Sequence, residues 1–258
     1  MINIISSRNN RTLFFELARA NILQRDYHTF FGHFWSLLNP LFTFSVLFFI
    51  FQRRFGSSVE NFPIYLFCGV ILIGFFTSTT AILAPVLHSQ KGLILNSRVP
   101  REIIILSTFS SQLIKFFIEI FLCAVLACIF SDFYWSHSVL LIPLILAFFL
   151  LTLGIGFILS IIFCFARDIS HIWGIASRLL YFVTPIFYKL ESLSTWASNL
   201  VYWANPLSPF FISFRDFFIR PEQFNYSTYF HALGIGSVYF ITGHLLFKKF
   251  EDLSATQV

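Results

Sequence analysis

Residues 139–165 read VLLIPLILAFFLLTLGIGFILSIIFCF, a continuous apolar run without a single Asp, Glu, Lys or Arg. A helix crosses the hydrocarbon core of a bilayer with about 20 such residues. An extended strand there would leave its backbone groups unpaired in lipid, and a transmembrane barrel would alternate apolar and polar positions in short segments. This stretch therefore predicts a membrane-spanning helix, and the rest of the chain is read outward from it.

Upstream, similar runs cover about Phe34–Phe51, Ile64–Leu87 and Ile103–Phe130; downstream, about Ile172–Phe187 and Tyr229–Phe247. The expectation is an all-α integral membrane protein with six transmembrane helices in one domain spanning residues 1–258. Residues 1–33 form a cytoplasmic or interfacial segment, 34–247 the six-helix bundle and 248–258 a cytoplasmic tail. Composition agrees: 57% of the 258 residues are hydrophobic and 11% charged, against about 25% charged in a soluble domain. Phe occurs 38 times, a bias expected chiefly on a lipid-facing surface, with the lining of a passage as the alternative.

Charge sets the orientation. With the N-terminus inside, ten basic residues (Arg8, Arg11, Arg19, Arg25, Lys91, Arg98, Arg101, Arg167, Lys248 and Lys249) lie in cytoplasmic segments. Five (Arg53, Arg54, Lys189, Arg215 and Arg220) lie outside, so the positive-inside rule places both termini in the cytoplasm. The net charge of +5 belongs to these loops and is no nucleic-acid signal. About Arg11 to Phe31 is helical in pattern yet too charged to cross, which suits a helix lying along the inner leaflet. Between the fifth and sixth runs, Asn205-Pro206 and Pro209 divide residues 190–218 into two short apolar pieces. Neither is long enough to cross, so two short re-entrant helices are expected, with Trp196, Tyr202 and Trp203 at headgroup level.

Chemistry-bearing motifs are missing. There is no nucleophile elbow, zinc-binding helix motif, paired-cysteine motif or phosphate-binding P-loop. Cys68, Cys123, Cys128 and Cys164 read as small apolar residues, and no metal site is expected. Charges inside spans cost about 2.5–3.5 kcal/mol each on insertion scales and so point to function or pairing. Lys115 and Glu119, four residues apart on one helix face, form a candidate charge pair. Arg178 is expected to face the bundle interior or a wet cavity. Thr152, Gly156 and Ser160 make a small-residue stripe suited to helix packing.

Phe31-Gly32-His33-Phe34-Trp35-Ser36-Leu37-Leu38-Asn39-Pro40-Leu41 resembles the approach to the first span in the permeases of polysaccharide-exporting ABC transporters, the O-antigen, capsule and teichoic-acid family. Leu93-Ile94 with Val99-Pro100-Arg101, Arg167-Asp168-Ile169, Thr184-Pro185-Ile186-Phe187-Tyr188, Asn205-Pro206-Leu207 and Arg215-Asp216 continue the resemblance in order. The chain departs from the pattern at Arg25-Asp26-Tyr27 and at Leu95-Asn96. The resemblance implies a homodimeric permease without catalytic activity or cofactor of its own, in the inner membrane. A separate ATPase subunit carries ATP and Mg, and a polymer on a lipid carrier such as undecaprenyl diphosphate passes between the two permeases. O-antigen is favoured; capsular polysaccharide or teichoic acid is the alternative, and a small-lipid or drug exporter the more distant one. A membrane-embedded glycosyl- or acyltransferase would need acidic or His residues at a membrane face, and Asp and Glu total only 12.

Two groups of site residues follow from that resemblance. Phe34, Trp35, Tyr181, Phe182 and Arg178 are candidates for the passage, because sugars stack on aromatic faces. Leu93, Ile94, Leu95, Arg98, Pro100 and Arg101 in the loop from His88 to Glu102, with Arg167 and Asp168, are candidates for coupling to the ATPase.

Overall fold

The computed structural model describes residues 8–25, 34–56, 59, 61–96, 99–130, 138–219 and 224–254. Among the described residues all regular structure is helical. The helices are α1 (Arg8–Arg25), α2 (Phe34–Phe55), α3 (Phe62–Leu83), α4 (Val86–Ser89), α5 (Lys91–Asn96) and α6 (Arg101–Phe130). They continue with α7 (Ser138–Phe165), α8 (Ile169–Val183), a 3-10 turn at Leu190–Ser192, α9 (Thr195–Ala204), α10 (Ser208–Ile219) and α11 (Tyr226–Ser254).

The deciding run is α7, and it lies at the centre: 72% of its apolar window is buried, as is 72% of α3, against 22% for α11. Along one face α7 meets α11 at backbone distance. A Cβ on Gly236 would strike the Ala147 carbonyl, one on Gly243 the Gly154 carbonyl, and one on Gly154 the Tyr239 carbonyl. Contact pairs 147 with 236 and 154 with 243, so the two helices run parallel. A seven-residue step is about two helical turns, which keeps both contacts on one face. Glycine is needed here for close approach, the usual means by which helices associate in lipid. The stripe of Thr152, Gly156 and Ser160 faces α3 instead: a Cβ on Gly156 would meet Leu83. Thr152 and Ser160 are buried and donate to the carbonyls of Phe148 and Phe157, both at 2.9 Å.

Phenylalanine fills the interior. The largest fully buried side chains among the described residues are all Phe, including Phe75, Phe116, Phe148 and Phe214. Phe75 sits 4.7 Å from Phe116 and 5.4 Å from Phe149 between ring centroids. The bias thus reflects packing between helices as well as lipid contact, since tilted and edge-on rings fill wide interhelical gaps.

Four described helices are long and apolar enough to cross a membrane: Phe62–Leu83, Arg101–Cys128, Val139–Phe165 and Tyr226–Glu251. The apolar parts of α2 and α8, Leu38–Arg53 and Ile169–Val183, are shorter. Two expected runs end early, both at proline, while the first and the sixth extend, to Phe55 and Ser254. The second run stops at Leu83, and Ala84-Pro85 separates it from α4. The fifth stops at Val183 because Pro185 forces Thr184 out of the helical region, to ψ 136°. At about 1.5 Å per residue, α8 extends about 22 Å, short of the ~30 Å core.

The expected pair between the fifth and sixth runs exists as two helices, of 10 and 12 residues. Asn205 makes the break: its Nδ2 donates to Thr184 Oγ1 at 2.8 Å, and its Oδ1 accepts from the Leu207 amide at 3.1 Å. The two differ sharply. No residue of α9 is buried and its Trp196 and Trp203 are exposed, whereas most of α10 is buried. Near the N-terminus, α1 lies against α6, with Leu17 on the core and Asn21 Nδ2 donating to Thr108 Oγ1 at 3.3 Å. The expected continuation to Phe31 falls outside the described residues.

Candidate functional site

Three places concentrate the residues that sequence singles out. The first is a face. On α8, Ile172, Ile175, Leu179 and Phe182 are all exposed, and no residue of the helix is buried. On α2, Phe42, Val46, Phe49 and Ile50 are likewise exposed, Phe49 to 87%. Arg178 is exposed with this set, so of the two surroundings expected for it, the bundle interior or a wet cavity, the interior of its own bundle is not the one it meets. The backbone of Phe34 and Trp35 belongs to α2, and their side chains lie outside the described residues. What holds α8 to the bundle is a few polar and aromatic pins. Trp173 Nε1 donates to Thr80 Oγ1 of α3 at 2.9 Å, and Tyr181 lies 5.6 Å from Phe187.

Inside, Lys115 Nζ stands 3.5 Å from Glu119 Oε1, with side chains 15% and 3% exposed. The i, i+4 spacing expected from sequence is thus realised in a largely dry setting, where each charge lowers the cost of burying the other.

The second place is one end of the bundle, where α4 and α5, the start of α6, the α7–α8 turn and the end of α11 gather: His88 of α4 lies 6.1 Å from Phe163 of α7. Of the candidate coupling residues, Leu95 is exposed to 63% while Leu93 and Ile94 are half-buried against the core. Arg167 and Asp168 are exposed in the turn before α8. Pro100 supplies the carbonyl that accepts from the Ile103 amide at 2.9 Å and so starts α6. Arg101 is engaged within the chain, its Nη1 donating to the Glu251 carbonyl at 2.8 Å. Arg98 lies outside the described residues. Beside Arg101, buried Glu102 lies 3.8 Å from His244 Nδ1 and 4.0 Å from Lys248 Nζ, a cluster that sequence spacing does not announce.

The third place, at the opposite end, is organised by Arg215 of α10. Its guanidinium, 5% exposed, donates through Nε to the Tyr65 carbonyl at 3.2 Å, through Nη2 to the Ile186 carbonyl at 2.9 Å and through Nη1 to the Pro185 carbonyl. It also lies 3.5 Å over the Tyr65 ring, a cation–π contact strengthened by burial. Gly69 makes room, since a Cβ there would come 2.8 Å from Nη2. Sequence marks Arg215 through the Arg215-Asp216 pair of the resemblance; that it serves the carbonyls of the turn after α8 depends on residues distant in the chain.

Nothing in these places assembles a nucleophile, base and oxyanion site; they comprise an unpartnered apolar face, with a polar pair behind it, and two organised ends. Residues 12–219 match the family described as ABC-2 type transporter. The chain is similar to an "O-antigen export system permease protein RfbA" of Myxococcus xanthus, 25% identical over 209 residues, covering 81% of this chain and 80% of that protein. Two proteins of the same name from Klebsiella pneumoniae are 25% and 26% identical, covering 85% and 86% of this chain and 85% of each relative.

Proposed function

The chain belongs to the ABC-2 type transporter family, and from that premise we propose that it is the membrane permease of an exporter for lipid-linked polysaccharide, with O-antigen as the polymer. The three relatives named for O-antigen export, each aligned over four-fifths or more of both chains, support that substrate. A chain without a P-loop draws its energy from a separate ATPase subunit, which holds ATP and Mg. Two copies of the permease enclose the passage, in the inner membrane.

The observation that carries this reading is the unpartnered face of α2 and α8. Apolar residues cover it from Phe42 to Ile50 and from Ile172 to Phe182. A second copy set against it would bring Tyr181, Phe182 and Arg178 beside the passage, where aromatic rings and a cation suit sugars on a diphosphate carrier. In this arrangement α2 and α8 complete a set of six spans, α9 and α10 form the re-entrant pair, and both termini face the cytoplasm. The end bearing α5 and the Arg167-Asp168 turn receives the ATPase, with Leu95 as the exposed anchor and Arg98, three positions later in the sequence, as a basic contact for the partner.

Deletion of the gene tests the substrate: surface O-antigen should vanish and lipid-linked polymer accumulate inside, both reversed by the plasmid-borne chain. Unchanged surface polymer in the deletion would end the proposal. For the docking end, Leu95→Asp should weaken co-purification of the ATPase by about 2 kcal/mol, the scale of an interface hot spot, without altering permease stability. Ile94→Asp should damage the permease itself, because that side chain packs on the core. Full ATPase recovery with Leu95→Asp would move the docking surface elsewhere.

A further inference from the structure

Behind α2 and α8 lies a chamber of about 240 Å³ between α2, α3, α6 and α8, partly open and bounded by both apolar and polar groups. Lys115, Glu119, Thr43, Thr77 and Tyr181 are among its lining residues, and so is Gly74. A void of this size is far larger than a packing defect and smaller than the ~300–1,000 Å³ of sites that hold drug-sized ligands.

The lining restricts what can occupy it. Lys115 and Glu119 cancel in charge at 3.5 Å, so a phosphate gains one cation and meets one carboxylate. A divalent cation would face the ammonium. An acyl chain would leave both ions and the hydroxyls without solvent in an apolar setting, which is costly. The hydroxyl protons of Thr43 and Thr77 are committed to the carbonyls of Asn39 and Ile73, at 2.9 and 2.7 Å. Both oxygens therefore present lone pairs to the chamber and act as acceptors. Lys115 supplies N–H donors, Glu119 a carboxylate, and Tyr181 an aromatic ring. Donors and acceptors in balance beside an aromatic edge match a neutral polyol.

We infer that this chamber is a side pocket of the passage that takes up one uncharged sugar ring of the polymer, its hydroxyls bridging Lys115 and the threonines while Tyr181 lies against its C–H face. The inference rests on the polysaccharide-export reading and adds to it a specific subsite inside each permease copy. The Lys115–Glu119 pair thereby acquires a role beyond mutual neutralisation: it is a carbohydrate contact whose cost of burial is lowered by internal pairing.

Gly74 offers a direct test. A Cβ added there meets nothing within 4 Å, so a substitution starts in open space at a residue that lines the chamber. In the complete permease–ATPase complex, Gly74→Ala, Gly74→Val and Gly74→Leu should lower surface polymer progressively. Gly74→Leu should reduce export about tenfold or more, the scale of one lost charge-assisted hydrogen bond, with complex recovery and basal ATPase activity unchanged. In nanodiscs, lipid-linked polymer should stimulate the wild-type ATPase but not that of Gly74→Leu, and the polyprenyl diphosphate carrier without sugar should not distinguish them. Thr77→Val, nearly isosteric, guards against a folding defect: it should raise the polymer concentration for half-maximal stimulation several-fold. Wild-type export by Gly74→Leu, or an unchanged polymer response in Thr77→Val, overturns the chamber while leaving the export reading intact. A wild-type complex indifferent to the polymer, in cells whose surface polymer survives deletion of the permease, overturns both.

Discussion

Helices α7 and α8 are consecutive in the chain and joined by a short turn, yet they are held in the bundle by opposite means. Around α7 the contacts are backbone on backbone: Gly154, Gly236 and Gly243 each bring a neighbouring carbonyl to where a Cβ would be. Around α8 no residue is buried, and attachment comes from Trp173 on Thr80 near one end, from half-buried Leu180 and Tyr181 near the other and from the turn beyond Val183. That turn is itself gripped by Asn205 and Arg215. The contrast separates a seam, where many weak contacts permit one geometry, from a hinged strut fixed at its ends. Under the proposed function, α8 would answer a partner subunit and a moving ATPase, and such a helix belongs to the second kind, because bistable motion requires contacts that can be exchanged.

The largest expected effect lies in the seam. Gly154→Val should cost about 3 kcal/mol or more, beyond ordinary overpacking because the clash is with backbone; thermal unfolding of the detergent-solubilised permease reads it directly. Wild-type stability in that variant would mean that α7 and α11 are no tighter than any other pair. Next comes the grip on the strut. Arg215→Met strips the buried Pro185 and Ile186 carbonyls of this donor at about 1–3 kcal/mol for each group left unsatisfied, partly offset by rearrangement. Arg215→Lys, with fewer directed donors, should recover only part. The comparison sharpens if cysteine crosslinking then finds α8 displaced while the α7–α11 distance is unchanged. The smallest effect belongs to the outward face: Leu179→Ser should shift protomer stability by no more than about 0.5 kcal/mol while lowering recovery of paired permeases. Equal losses of stability in Leu179→Ser and Gly154→Val would erase the distinction.

Sequence revealed the long apolar runs because each crosses or nearly crosses a fixed thickness, and the break at Asn205-Pro206 because Asn and Pro act locally there. It misjudged the ends of α3 and α8 for a reason visible in the prolines themselves. Pro40 and Pro143 sit inside continuous helices, whereas Pro85 and Pro185 end theirs. A membrane helix tolerates proline when neighbours satisfy the freed carbonyls. Past Pro185 the chain leaves the helix, and Arg215, thirty residues later, binds the carbonyls of the turn itself, which favours the broken form. The Lys115–Glu119 pair was legible from i, i+4 spacing alone. The chamber beside it was not, because four helices build it and no single window contains them. Arg178 was left between the bundle interior and a wet cavity, because the cost of a charge in lipid does not reveal that α8 presents a whole unpartnered side.

Synthesis order gives the glycine seam a further consequence. The ribosome delivers α7 well before α11, and at about 5–20 residues per second the interval is on the order of several seconds. Throughout it Gly154 has no opposing helix, and the central element waits in the membrane with its flattest side bare. Because α11 aligns parallel to α7 over two successive contacts, its arrival closes the side in a single register. The arrival of α11 is therefore what closes the bundle around α7, and a nascent chain released before residue 226 carries an open seam.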